Sequence, residues 1–123
     1  MRDHKQLQTM EATILWKDDP IVAFKVDKGR VIYISPFYEN ENLFPLEFRG
    51  PRGITMDEIN MFVDARIVPR ERYDIHDLLK GMGLEEYRWE PILRYVHGLC
   101  TDDCYWFRFP GEKLKYNDVK IRD

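Results

Sequence analysis

Three runs of β-branched and aromatic residues open the chain, and each is cut off by turn-forming residues before it reaches helical length. Thr13-Ile-Leu-Trp16 and Ile21-Val-Ala-Phe-Lys-Val26 flank Lys-Asp-Asp-Pro, whose acidic residues and proline favour a turn over a continued ladder. Asp27-Lys-Gly29 then supplies a glycine for positive φ before a third run, Arg30-Val-Ile-Tyr-Ile34. The pattern predicts a three-strand antiparallel meander. From Ser35 to Gly53 the regularity stops. Pro36, Pro45, Pro51, Gly50 and Gly53 punctuate a stretch in which Phe37, Tyr38, Leu43, Phe44, Leu46 and Phe48 remain apolar. It reads as a long connection against the core, holding at most one short strand.

Periodicity changes at Thr55. Thr55-Met-Asp-Glu58 is a capping box, with Ile54 and Ile59 at the positions of a hydrophobic staple. Met56, Ile59, Phe62 and Val63 then share one face, and Pro69 disfavours helical geometry before it, so a first helix ends near Arg66. A second helix is expected from about Arg70. Its stripe is Ile75, Leu78, Leu79 and Met82, with Gly83 suited to the left-handed residue that closes it. A third, shorter helix holds Pro91 in its first turn, where the missing amide costs nothing, and carries Ile92, Leu93 and Val96 inward before Gly98. Tyr105-Trp-Phe-Arg-Phe109 returns to strand spacing. The expected fold class is therefore α+β: a small antiparallel sheet, the N-terminal meander plus a late strand, packed with three short helices. One domain over residues 1–123 accommodates it, mostly β over 1–54, helical over 55–98, strand and irregular over 99–123.

Composition and charge narrow the function classes. With 123 residues, 44% hydrophobic, 33% charged and 14% aromatic, the chain is long enough and apolar enough to bury a core without staples. The net charge is −3, and neither half is basic, so a nucleic-acid backbone would have to be met by a local patch. No apolar run approaches a membrane span and the start lacks a signal-peptide pattern, which places the expected protein in the cytoplasm. Cys100 and Cys104 do not make a disulfide framework.

Several groups have the residue types of chemistry without its pattern. His97, Cys100 and Cys104, with Asp103, offer zinc enough ligands, but the spacing matches no common zinc module. The same residues as a Cys/His nucleophile pair lack an orienting group and an oxyanion site. Asp18-Asp19 and Asp102-Asp103 fit solvated turn caps better than catalytic carboxylates. Arg49-Gly-Pro-Arg-Gly53 is basic and glycine-rich but has neither the P-loop ending nor a strand-glycine-helix context. No catalytic residue, metal or cofactor is therefore expected. A helix-turn-helix around Arg66-Ile-Val-Pro-Arg-Glu-Arg72 is the stronger alternative, since its turn carries three arginines. Its recognition face would include Asp74, His76, Asp77 and Lys80, a poor surface against phosphates.

The run Phe62-Val-Asp-Ala-Arg66-Ile-Val-Pro69-Arg-Glu-Arg72, with Leu78-Leu79 and Gly83-Leu84 after it, resembles the helix, R-x-hydrophobic-P-x-x-R turn and helix of the amino-terminal module of HipA-like kinase-family proteins of Firmicutes. Gly98-Leu99 and Asp103-Cys-Tyr105-Trp106 resemble the GLS…DxYW segment that follows there, and Tyr116-Asn-Asp118-Val119 its W-x-D-V/I ending. Tyr116 replaces the tryptophan, and no NFF follows Val119. The resemblance covers about half the chain, from Thr55 onward, and less clearly the strands before it. It implies a non-catalytic module, because the nucleotide site and catalytic aspartates of such proteins lie downstream of this segment.

The resulting expectation is a non-enzymatic protein-binding module whose partner is a kinase-like toxin or a host defence enzyme, the latter in the manner of a phage or mobile-element inhibitor. The alternative is a helix-turn-helix DNA-binding regulator. Candidate contact residues are Arg66, Arg70 and Arg72 at the helix turn and Tyr38, Phe44 and Phe48 in the long connection, because arginine and aromatics dominate interface energetics. Core packing competes for the aromatics, and internal ion pairs compete for Arg66 and Arg72.

Overall fold

The computed structural model describes residues 6–120. Strands β1 (Met10–Trp16), β2 (Asp19–Asp27) and β3 (Arg30–Pro36) form the meander. Helices α1 (Met56–Asp64), α2 (Ile75–Gly81) and α3 (Trp89–Val96) follow, then β4 (Tyr105–Arg108) and a single-turn helix α4 (Tyr116–Val119). The fold is α+β, an antiparallel four-strand sheet in the order β3-β2-β1-β4. Each meander turn is tight. Lys28 and Gly29, both at positive φ, make the two-residue connection between β2 and β3 that suits the twist of a hairpin.

Alternation along the strands sends Met10, Ala12, Ile14, Val22, Phe24, Val26 and Phe107 into one face, where α1 and α3 supply Ile59, Phe62, Val63, Ile92 and Leu93. The other face is open beside Glu11, Lys25 and Tyr33, whose side chains pair across it: Tyr33 donates to Glu11 at 3.1 Å and Lys25 lies 3.9 Å from the same carboxylate. It closes at the β1–β4 end, where Leu15 and Trp106 face each other fully buried. The chain after β4 is tied back over that end by Tyr116 N–H to Asp18 at 2.8 Å and Arg108 to the Leu114 carbonyl at 3.3 Å.

Helix starts and stops follow their local chemistry with one exception. The capping box is present: Thr55 N–H donates to Glu58 at 3.0 Å, and the Thr55 hydroxyl meets the same carboxylate. That hydroxyl is the main reason the Glu58 pKa falls below its usual range. Gly83, at φ +76, follows α2 as expected. The start of α2 is a correction. Helix begins at Ile75 and not near Arg70, because Arg72 N–H closes a turn on Pro69 O (3.2 Å) and Ile75 N–H one on Arg72 O (3.1 Å), leaving Pro69–Asp74 in successive turns. The connection after β3 holds two 3-10 helices, Tyr38–Leu43 and Leu46–Phe48, and no strand.

Glu90, in the first turn of α3, is a charged residue buried in the core at 8% exposure. Its Oε2 accepts the amides of Gln8 at 2.5 Å and Thr9 at 3.2 Å, pinning the chain just before β1 to the helix. Glu90→Ala leaves both amides without a partner and is expected to cost about 2 kcal/mol. Denaturant melts check this, since a midpoint equal to the parent's would mean that the contact contributes nothing.

Candidate protein-binding surface

Arg66, two residues past α1, turns inward and is 5% exposed along its side chain. Its guanidinium grips Asp103 with two bonds, Nη1 to Oδ2 at 2.8 Å and Nη2 to Oδ1 at 2.6 Å, and donates further to the carbonyls of Gly98 (2.6 Å) and Tyr105 (3.1 Å). It also lies 4.7 Å from the Phe62 ring centroid and 5.9 Å from that of Tyr105. The planar fork suits this task, because its Nε, Nη1 and Nη2 groups serve four acceptors while the Phe62 ring packs against it. Burial alone would raise the Asp103 pKa. The hydrogen bonds from Arg66 and the Tyr105 amide, with the arginine charge, outweigh that and hold it below the usual carboxylate range. Arg66 therefore joins the end of α1 to the loop between α3 and β4. It is scaffold, and no incoming partner reaches it.

The rest of that connection is presented outward by the same anchoring. On one side of the tip Ile67 is buried and the Val68 carbonyl accepts the Tyr87 hydroxyl at 2.6 Å, and on the other Ile75 is buried at the start of α2, so both ends of the loop are fixed. Between them Arg70, Glu71, Arg72 and Tyr73 are exposed. Arg70 stacks 5.8 Å from the Tyr87 centroid, and Arg72 Nε donates to Asp74 at 2.6 Å. Tyr73 is 94% exposed, the most exposed of the large apolar side chains. The sequence reading missed Tyr73, although its place outside the Ile75–Met82 stripe marked it as free of the core.

The aromatic candidates divide. Phe44 and Phe48 are core residues, 6% and 3% exposed, with Phe48 5.3 Å from Phe62 between ring centroids. Neither is accessible to a partner, since the 3-10 turns roll them under the chain while Tyr38 stays out at 65%. The sites that resembled chemistry are also committed internally. His97 Nε2 lies 2.9 Å from Glu112, whose pKa burial would raise but which bonds from His97 and the Phe109 amide hold down. The Tyr116 pKa is raised, chiefly by the Cys104 side chain. Among the described residues, no group of three or more His, Cys, Asp or Glu could hold a metal ion. In the basic loop, Arg49 binds the Phe44 and Asn42 carbonyls and Arg52 binds Asp57 at 3.2 Å.

An apolar groove of about 550 Å³ runs between Tyr95 and Leu99 on one wall and Leu114 and Val119 on the other. Its polar groups are His97, already paired with Glu112, and Asp118, whose carboxylate accepts the Lys115 amide at 2.8 Å. Among the described residues no helix is long and apolar enough to cross a membrane. No protein-family model, curated protein or solved structure matches the chain.

Proposed function

We propose that this chain is a non-enzymatic protein-binding module that docks on a kinase-like toxin or on a host defence enzyme, using the Arg70–Tyr73 loop tip as its contact. The observation that carries this reading is the pairing of an anchored loop with an exposed tip. Arg66 and Val68 are fixed from inside, while Arg70, Arg72 and Tyr73 stand in solvent. Those residue types supply most binding energy at protein interfaces, and a tip held on a rigid frame loses little entropy on docking. The choice of partner class rests on the resemblance of Phe62–Arg72 and of the Gly98–Trp106 segment to the HipA-like module.

A DNA-binding helix-turn-helix fits the geometry less well. Its two helices are joined by a turn of about 3–4 residues, whereas here the connection runs from Ala65 to Asp74 and the following helix is only Ile75–Gly81. Arg66, one of the three arginines that would meet phosphates, is spent on Asp103. At physiological salt the protein is therefore expected not to retain duplex DNA, while a specific protein from host extract stays bound. Sequence-dependent duplex binding that falls steeply with salt and is lost in Arg70→Gln/Arg72→Gln would reverse the order of the two readings.

A further inference from the structure

The sheet has one closed edge and one open edge. On the β4 side, Phe107 N–H donates to the His97 carbonyl at 2.8 Å, so the loop after α3 covers that edge. On the β3 side, Phe37 N–H donates back to Ile21 O of β2 at 2.8 Å, and alternation turns the backbone groups of Ser35 and Tyr33 the same way. Ile34 and Pro36 then face outward. Proline at 36 takes no bond from the β2 ladder, and Ile34 offers both its N–H and its carbonyl to a neighbour. β3 is also the most solvent-exposed strand, with Val31 at 47% and Ile32 at 56%. A bulge makes Ile32 an extra residue between the pairs Lys25↔Tyr33 and Val26↔Val31.

Charge along this edge is polarised. Lys28 and Arg30 stand at one end and Glu39 and Glu41 at the other, and every residue from Val31 to Tyr38 is uncharged. Asp27 at the first end, and Arg49 beside Asn42 at the second, reduce these charges without reversing them. Edge strands are kept from pairing by mid-strand charge, by proline or by bulges; β3 carries no charge in mid-strand, its bulge lies near its first residues and its proline is its last residue. We propose that β3 is a self-pairing edge, on which two copies of this chain join antiparallel along Arg30–Pro36 and continue the sheet from one copy into the other. A two-fold axis normal to the sheet brings Lys28 and Arg30 of one copy to Glu39 and Glu41 of its mate, with the apolar centres together. Parallel pairing in register would set like charge against like. The second copy is favoured over a foreign strand because the edge complements itself in both charge and apolarity. The surface is separate from the Arg70–Tyr73 tip, whose anchor Arg66 is bonded to Tyr105 on β4 at the far side of the sheet order.

Sedimentation equilibrium of the full chain tests this. The expected result is a concentration-dependent species of twice the 14.9 kDa chain mass, reduced to a single chain by Ile32→Lys with an unchanged far-ultraviolet spectrum. Arg30→Glu should weaken association roughly tenfold by placing like charges together, and adding Glu39→Lys and Glu41→Lys to it should restore association. A single-chain mass for the parent at its highest soluble concentration would overturn the proposal. So would a dimer that both Ile32→Lys and Arg30→Glu leave intact. Neither result bears on partner capture by the loop tip.

Discussion

Arg66→Ala lowers the free energy of unfolding by about 3 kcal/mol, the low end for breaking a buried pair because Asp103 retains partial solvent access. The side chain lost is 5% exposed, and its removal strands one carboxylate and two carbonyls that it had satisfied. In a domain of this size the melting temperature should drop by roughly 10 °C. Arg66→Lys keeps the charge but not the fork, so it recovers only part of the loss. The pH dependence has a definite sign. Because the folded pKa of Asp103 is depressed, the stabilisation is fully present above its ordinary value of 3.8 and disappears as pH falls through the folded value. The gap between parent and Arg66→Ala therefore narrows on acidification below that point. Coincident urea melts at neutral pH would show that the buried pair holds nothing.

Gly98→Ala is the second large effect. Gly98 follows His97 at the end of α3, and the two occupy the left-handed region in succession at φ +55 and φ +63. A Cβ at 98 would sit 2.5 Å from Phe107 Cδ1 and 2.9 Å from its Cε1, with Leu93 Cδ1 at 3.3 Å. These rings and methyls are fully buried and cannot yield, so overpacking adds to the backbone penalty, for an expected cost of about 3 kcal/mol or more. Gly83→Ala is the control. Gly83 has φ +76 but nothing within 4 Å of a new Cβ. That variant should lose only the backbone share, about 1–2 kcal/mol. Equal melts for the two variants would remove packing against Phe107 from the account.

The fold was legible where a local rule and the global structure agree. The capping box at Thr55 and the stripe Ile75, Leu78, Leu79 and Met82 name their helices because neighbours in sequence create the signal. Pro69 marked the end of α1 but did not show that turns continue to Asp74, since that depends on Arg72 closing back on Pro69 O. The site was less legible. Arg66 and Arg70 are the same residue type four positions apart, and what separates them is Asp103, far along the chain and brought near only by folding. Phe44 and Phe48 lie in a proline-broken segment without a period, so nothing local distinguished them from Tyr38. The run Arg30–Ile34 announced a strand, but its position at the open edge follows from the sheet order alone.

The proposed division of labour is that Arg66 builds the frame and the Arg70–Tyr73 tip does the binding. Its most direct test is capture from host extract by the parent and by Arg70→Ala/Arg72→Ala/Tyr73→Ala. The contacts the variant loses, Arg70 on Tyr87 and Arg72 on Asp74, are surface ones, so it should melt within about 1 kcal/mol of the parent. The parent should retain a specific protein, and the variant, equally folded, should not. Equal retention of that protein by both would contradict this division.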